Sequence, residues 1–348
     1  MDLRQNIFKP HSIHTSPLDQ GEKNSNSGIG KYKPLPWSNY FDDKRSVHVG
    51  DTQFNVYSSG LSNTGGPVFV FHHGAGHSGL TFGLVSKYIY DSDPTRITVV
   101  APDFRAHGDT TGDNQENLSL ERQVDDLVGL IDALFSEGSG KNIMLVGHSM
   151  GGAVVAHAAK SRRIKHVLGL ALIDIVEGSA MDSLSSIPGF ISARPSAFGS
   201  IESAIRWHID SKHIQNTKSA RLSVPSLVKQ TSDGNGSQSV WTWRTDLLPS
   251  QKFWHGWYSG LSKTFASAPT AKLLILAGTD RLDKELLIAQ MQGKFQLELL
   301  PAAGHTIQED LPERVGDALI FFYKRNQPLD ISEIRRKNPT PSESAGSS

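Results

Sequence analysis

The chain has 348 residues, long enough for one large domain, and its 35 lysines and arginines balance its 35 aspartates and glutamates. This balance argues against nucleic acid or an anionic membrane as the partner, and the absence of cysteine excludes disulfides and thiol catalysis. No apolar run approaches the ~18 residues of a membrane span, and the start of the chain lacks an apolar secretion signal, so we expect an intracellular protein of the cytoplasm, with the nucleus as a second compartment.

The composition along the chain predicts one folded domain between two tails. Residues 1–30 and 327–348 are polar and rich in small residues, which is typical of disordered segments, and they leave a domain at 31–326. Between about 46 and 276, strand-like apolar runs alternate with helical segments. This alternation predicts the α/β class, with a mostly parallel central sheet and helices on both faces.

The first motif in chain order is a glycine-rich loop, residues 72–78 (HHGAGHS), which follows an apolar run. It resembles the loop of α/β-hydrolases that donates one backbone N–H to an oxyanion hole, and Ala75 is the candidate donor. The alternative is a tight turn that binds no ligand. The next motif, residues 103–108 (DFRAHG), resembles the turn that braces this loop, with Ala106 where glycine is usual, and we expect a structural role for it.

The most informative motif is residues 147–151 (GHSMG), which lies between a strand-like run and a helix-like segment. It has the G-x-S-x-G pattern of the nucleophile elbow, in which glycines permit a sharp turn that exposes the serine hydroxyl. Ser149 is the candidate nucleophile, and the N–H of Met150 is the second candidate oxyanion donor. The alternative is an ordinary glycine-rich turn from strand to helix.

A serine nucleophile needs a histidine to take its proton and a carboxylate to orient that histidine. His305 is the candidate base because it lies in the loop after the last predicted strand. Two aspartates end predicted strands at the same sheet edge. Asp174 comes one strand after the nucleophile, and Asp280 comes two strands after it, which is the commoner place. Position in the sheet favours Asp280 but leaves both open.

The interval from about 175 to 268 breaks the alternation and is too long for a simple connection between strands. It contains five of the six tryptophans, so it has enough large apolar side chains for a small core of its own. We expect it to form a lid over the nucleophile. Its aromatic residues either pack inside the lid or line a groove, and the first role is the commoner one.

Motifs in and after this insertion are those of a known family. Together with the three loops above, the segments at 174–182 (DIVEGSAMD), 243–247 (WRTDL), 253–262 (FWHGWYSGLS) and 276–296 resemble the protein phosphatase methylesterases, over residues 33 to 325. These enzymes remove the methyl ester from the C-terminal leucine of the type 2A protein phosphatase catalytic subunit. The resemblance implies an α/β-hydrolase fold with a lid insertion, and a triad of Ser149, His305 and Asp174, in preference to Asp280.

The resemblance also implies the reaction. We expect a serine carboxylesterase that acts on the methylated phosphatase catalytic subunit, releases methanol and needs no metal or organic cofactor. One rival is a general small-molecule carboxylesterase, which would cleave p-nitrophenyl esters efficiently. The other is a catalytically silent phosphatase-binding protein, which a serine-reactive fluorophosphonate would fail to label.

Overall fold

The structure, a computed structural model, describes residues 30–135, 140–232, 239–278 and 282–327. Nearly all of the two predicted tails lies outside these ranges. The strands are β1 (Asp43–Val49), β2 (Thr52–Ser59), β3 (Pro67–His72), β4 (Thr98–Pro102), β5 (Thr111–Gly112), β6 (Asn142–His148), β7 (Val167–Ile173), β8 (Ala197–Phe198), β9 (Val228–Ser232), β10 (Ser239–Trp243), β11 (Ala271–Leu276) and β12 (Gln296–Leu299).

Helices alternate with these strands along most of the chain. The α-helices are α1 (Gly83–Ser92), α2 (Leu120–Leu134), α3 (Met150–Ser161), α4 (Glu177–Ser183), α5 (Ile187–Ala193), α6 (Ile201–Asp210), α7 (Thr217–Ser223), α8 (Gln251–Tyr258), α9 (Leu261–Ser267), α10 (Lys284–Met291), α11 (Ile307–Asp310) and α12 (Pro312–Asn326). Short 3₁₀ helices occupy Trp37–Asn39, Gly79–Phe82, Val224–Ser226 and Leu248–Ser250. Within the described ranges, no helix is long and apolar enough to cross a bilayer.

The central sheet has the order β1-β2-β4-β3-β6-β7-β11-β12, and β5 pairs with β2 outside this path. β1, β4 and β5 each pair with β2 in antiparallel fashion. The five pairings β4–β3, β3–β6, β6–β7, β7–β11 and β11–β12 are all parallel. The predicted mostly parallel α/β sheet is confirmed. Its parallel strands all end at one edge, where loops from distant parts of the chain meet.

The core lies on both faces of this sheet. The inner strand β3 has the sequence PVFVFH and is buried throughout, as expected for a strand covered on both sides. Side chains of α2 and α3 fill the cluster on one face, and side chains of α1 and α12 fill the cluster on the other. The helix α2 begins at an N-cap in which Ser119 accepts a hydrogen bond from the N–H of Arg122.

The chain between β7 and β11 forms helices α4 to α9 and a small sheet of order β8-β10-β9. Its tryptophans separate into two groups. Trp207, Trp241 and Trp243 pack in a cluster of the insertion itself, around buried residues such as Phe198. Trp254 and Trp257 instead join the large core beneath the sheet. The second group therefore anchors the C-terminal part of the insertion to the main domain.

Candidate active site

The elbow at the end of β6 holds Ser149 in a rare backbone conformation. Its φ of 52° and ψ of −121° lie outside the favoured regions for a non-glycine residue, as is common where strain serves a site. The turn requires glycine beside it, because a Cβ on Gly147 would lie 2.3 Å from the carbonyl oxygen of Gly151. Met150 begins α3, so its N–H has no acceptor within the helix.

Asp174 and His305 are in direct contact at this edge. The Nδ1 of His305 lies 2.8 Å from Oδ2 of Asp174, whose side chain is completely buried. Asp174 follows β7 with φ of 50°, and its Oδ1 accepts a hydrogen bond of 3.1 Å from the N–H of Ala277 after β11. A carboxylate at Nδ1 favours the ring with its proton on that atom, which leaves Nε2 free to accept a proton. Asp280 lies outside the described residues.

His148 connects the elbow to the histidine loop. It precedes Ser149 in the chain, and its Nε2 donates a 2.9 Å hydrogen bond to the carbonyl oxygen of His305. The two imidazole rings lie 4.7 Å apart. Burial holds the pKa of His148 well below its usual value, so the ring is neutral and structural. Ser149 and His305, more than 150 positions apart in the sequence, are thus at the same place in the fold.

The loop at 72–78 lies directly against the nucleophile. A Cβ on Gly74 would lie 3.2 Å from Cβ of Ser149 and 2.9 Å from Nδ1 of His148, so only glycine permits this approach. The following residue, Ala75, is half-buried at the same place. This proximity puts the backbone that follows Gly74 beside the elbow, where an oxyanion donor is needed.

Two buried histidines fasten this loop to the turn after β4. Nε2 of His107 accepts the N–H of Gly76 at 2.9 Å, while its Nδ1 donates to the carbonyl oxygen of Arg105 at 2.7 Å. Nε2 of His73 likewise accepts the N–H of Phe104 at 2.9 Å. Burial lowers the pKa of His107 to about 4, which keeps its acceptor nitrogen unprotonated at neutral pH.

The turn itself is held by buried ionic groups. Asp103 accepts hydrogen bonds of 2.8 Å from the N–H of Gly79 and from the Asn55 amide. The guanidinium of Arg105 is 1% exposed and makes two hydrogen bonds, of 2.7 and 2.9 Å, to Asp126. Ala106 has φ of 64°, the left-handed region in which glycine is usual. These contacts brace the loop from below and engage Asp103 and Arg105 in hydrogen bonds within the protein.

Comparison with known proteins identifies the family. Residues 69–318 match the model of the alpha/beta hydrolase family. Protein phosphatase methylesterase 1 of Homo sapiens is 40% identical over 337 residues, covering 85% of this chain and 86% of the human protein. The Schizosaccharomyces pombe protein of the same name is 38% identical and covers 94% of each chain. The chain belongs to the protein phosphatase methylesterase family.

Solved structures agree on the fold. The match to the structure of E-2-(acetamidomethylene)succinate hydrolase covers 81% of this chain and 99% of the hydrolase chain, with a TM-score of 0.65 at 23% sequence identity. A thioesterase domain from the curacin biosynthetic pathway gives 0.59 at 19% identity. Such low identity supports the fold alone. The family, the fold and the assignment as an ester hydrolase that the motifs predicted are confirmed.

In this member of the methylesterase family, the insertion places a further side chain beside the candidate nucleophile. The sequence did not indicate this side chain. Tyr258 is 6% exposed at the end of α8. Burial raises the pKa of its phenol to about 12, and the nearby side chain of Ser149 works against that rise. The phenol therefore stays protonated at neutral pH, as a neighbour of the candidate nucleophile.

Two acidic residues of α11 hold the histidine loop of the methylesterase. Glu309 is 1% exposed, and its carboxylate accepts hydrogen bonds of 2.6 Å from Thr81, which follows the loop at 72–78, and from Ser223 of α7. Asp310 accepts the N–H of Gly304 and the N–H of Gln215, each at 2.7 Å. They join the loop of His305 to the insertion. Within the described part of the chain, no group of three or more His, Asp or Glu side chains is arranged to hold a metal.

Proposed function

We propose that this enzyme hydrolyses the methyl ester on the C-terminal leucine of the type 2A protein phosphatase catalytic subunit, with Ser149 as nucleophile, His305 as base and Asp174 as the orienting acid. The observation that carries the proposal is the 2.8 Å contact between Asp174 and His305 beside the strained elbow. The substrate is supported by the human and fission yeast relatives, both of which are named protein phosphatase methylesterase 1.

The reaction proceeds in two stages. Nε2 of His305 removes the proton of the Ser149 hydroxyl as Oγ adds to the ester carbonyl, and the N–H groups of Ala75 and Met150 bind the oxyanion. His305 then protonates the departing methoxide, which leaves as methanol, and an acyl-enzyme remains. Water, deprotonated by His305, adds to the acyl carbon, and collapse of that adduct restores Ser149 and releases a free carboxylate.

Asp174 stays ionised throughout this cycle. Its buried carboxylate stabilises the imidazolium that forms at His305, while the N–H of Ala277 holds the second carboxylate oxygen in place. Each oxyanion donor is worth about 10² to 10³ in rate because it meets charge that develops only in the transition state. The intracellular location remains a prediction from the sequence.

Incubation with the proposed substrate tests the proposal. The purified chain and carboxymethylated phosphatase catalytic subunit are mixed, and loss of the methyl group is followed by mass spectrometry. We expect demethylation by the wild type and by Ser267→Ala, a change on an exposed face of α9, and none by Ser149→Ala. Efficient cleavage of p-nitrophenyl acetate without demethylation would instead support a small-molecule carboxylesterase. Binding of the phosphatase without fluorophosphonate labelling would support a silent binding protein.

A further inference from the structure

The aromatic cluster of the insertion carries a cation. The guanidinium carbon of Arg194 lies 4.3 Å from the centre of the Trp243 ring, a stacking distance at which the ring stabilises the positive charge. The indole N–H of Trp243 donates a 2.8 Å hydrogen bond to the carbonyl oxygen of Pro195, which fixes the ring. Arg194 therefore has a rigid apolar platform on one side.

One hydrogen-bonding group of this guanidinium is buried without a partner. Its Nε is buried and has no hydrogen-bond partner, although a guanidinium has five N–H donors to place. Asp246 acts on it only through longer-range attraction and uses Oδ1 to accept the N–H of Leu248 at 3.1 Å. Burial lowers the pKa of Arg194 accordingly. A half-buried cation without a close anion is costly, and an incoming anion would relieve that cost.

The cluster extends from Arg194 to the histidine loop. Thr306, next to His305, donates a 2.8 Å hydrogen bond to the carbonyl oxygen of His213. The ring of His213 stacks on Trp207 at 4.7 Å, and Trp207 meets Trp243 at 5.8 Å. Aromatic surface thus leads from the candidate site to the guanidinium.

His208, on α6, belongs to the same cluster, and its ring lies 5.6 Å from the ring of Trp243. Burial lowers the pKa of His208 to about 3, so this ring is neutral and adds no second positive charge beside Arg194.

We propose that Arg194, stacked on Trp243, is a subsite for a carboxylate side chain of the polypeptide substrate, a few residues before the ester. This inference rests on the proposed function. The ester is neutral and its leucine is apolar, so charge recognition has to come from residues further along the tail. A carboxylate fits better than a phosphate because the ring of Trp243 holds one guanidinium, that of Arg194, and His208 beside the same ring is neutral, whereas phosphate sites commonly combine several cations.

Peptides ending in leucine methyl ester test the subsite. A single aspartate is moved through the positions before the leucine, each peptide is paired with its asparagine counterpart, and methanol release gives kcat/KM. We expect the wild type to prefer aspartate at one position by about 10- to 100-fold, the range of a charged hydrogen bond. The preference should appear mainly in KM and decrease with added salt.

Substitutions then assign the preference. Arg194→Gln should abolish it, Arg194→Lys should retain part of it, and Arg194→Glu should favour lysine at the same position. Arg206→Gln is the matched control, since the guanidinium of Arg206 stacks on Tyr32, a different ring packed against the same cluster. A phosphoserine peptide at that position should be bound less well than the aspartate peptide.

The outcomes separate the two claims. Two results would overturn the subsite and leave the proposed function intact. One is Ser149-dependent hydrolysis at equal rates for the aspartate and asparagine peptides. The other is a preference for aspartate that survives in Arg194→Gln. A stronger effect of phosphoserine than of aspartate would overturn the choice of carboxylate. If no peptide were hydrolysed and the methylated phosphatase also remained intact, the proposed function and the subsite would both be overturned.

Discussion

Replacement of Asp174 by asparagine gives a prediction whose size follows from the local geometry. Oδ1 of Asp174 accepts the N–H of Ala277, and Oδ2 contacts Nδ1 of His305. In Asp174→Asn the amide oxygen has to face Ala277, so the amide NH₂ faces His305. An N–H donor there requires an unprotonated Nδ1, which moves the ring proton to Nε2 and prevents that atom from accepting the serine proton.

The expected loss follows from that wrong tautomer. By analogy with serine proteases, kcat should fall about 10⁴-fold, which corresponds to about 5.5 kcal/mol of transition-state stabilisation. KM should change little because the shape of the site is kept. The assay is steady-state methanol release from a peptide methyl ester, with thermal unfolding to verify that the variant is folded.

Asp280→Asn is the matched comparison, since Asp280 is the other aspartate that the sequence offers for the orienting role. We expect it to retain activity within about tenfold of the wild type, because Asp174 already occupies the position beside Nδ1 of His305. An active Asp174→Asn together with an inactive Asp280→Asn would refute the reasoning and transfer the orienting role to Asp280.

Three further predictions concern the loop, its brace and the buried histidines. Gly74→Ala should reduce kcat about 10²-fold, because the added methyl group would meet Ser149 and displace an oxyanion donor; steady-state kinetics measure this. Arg105→Met should lower the free energy of unfolding by about 3 kcal/mol in urea titrations, because the buried carboxylate of Asp126 loses two charged hydrogen bonds and keeps only the one from Arg122. His107, whose pKa is lowered to about 4, binds a proton in the unfolded chain before it does so in the folded one. Stability should therefore be lost as pH falls from about 6.5 towards 4, and His107→Gln should reduce the loss between about pH 7.5 and 5.5 by about 1.4 kcal/mol.

Each of these predictions has a control substitution at an exposed or uncrowded position. Gly199→Ala should leave kcat unchanged, since an added Cβ there meets nothing within 4 Å. Arg163→Met breaks an exposed ion pair with Asp125 and should cost under about 1 kcal/mol. His48→Gln, at an exposed position, is the control for loss of an imidazole side chain. Controls as damaging as the test substitutions would show that the cited contacts are not the cause.

The sequence was most informative where function depends on local backbone. The elbow around Ser149 was predictable because only glycine fits at Gly147, where the next turn of chain approaches within 2.3 Å of an added Cβ. The alternation of strands and helices indicated the sheet for a similar reason, since buried parallel strands need near-continuous apolar runs such as β3.

Tertiary contacts were beyond such reasoning. In the sequence, Asp174 and Asp280 each follow a predicted strand, and their spacing could not say which carboxylate meets His305; the family motifs supplied the preference. The contact of Thr81 with Glu309 joins residues 228 positions apart, and Tyr258 reaches Ser149 from the far end of the insertion. Nothing in the local pattern around these residues distinguishes them from ordinary core or surface positions.

Capture of the acyl-enzyme tests the central claim most directly. Turnover of a peptide methyl ester is quenched in acid, the protein is digested, and the fragments are mapped by mass spectrometry. We predict that the fragment containing Ser149 carries the peptide acyl group during turnover, and that this adduct is absent from Ser149→Ala. An adduct on another residue, or steady hydrolysis by Ser149→Ala at the wild-type rate, would contradict the account.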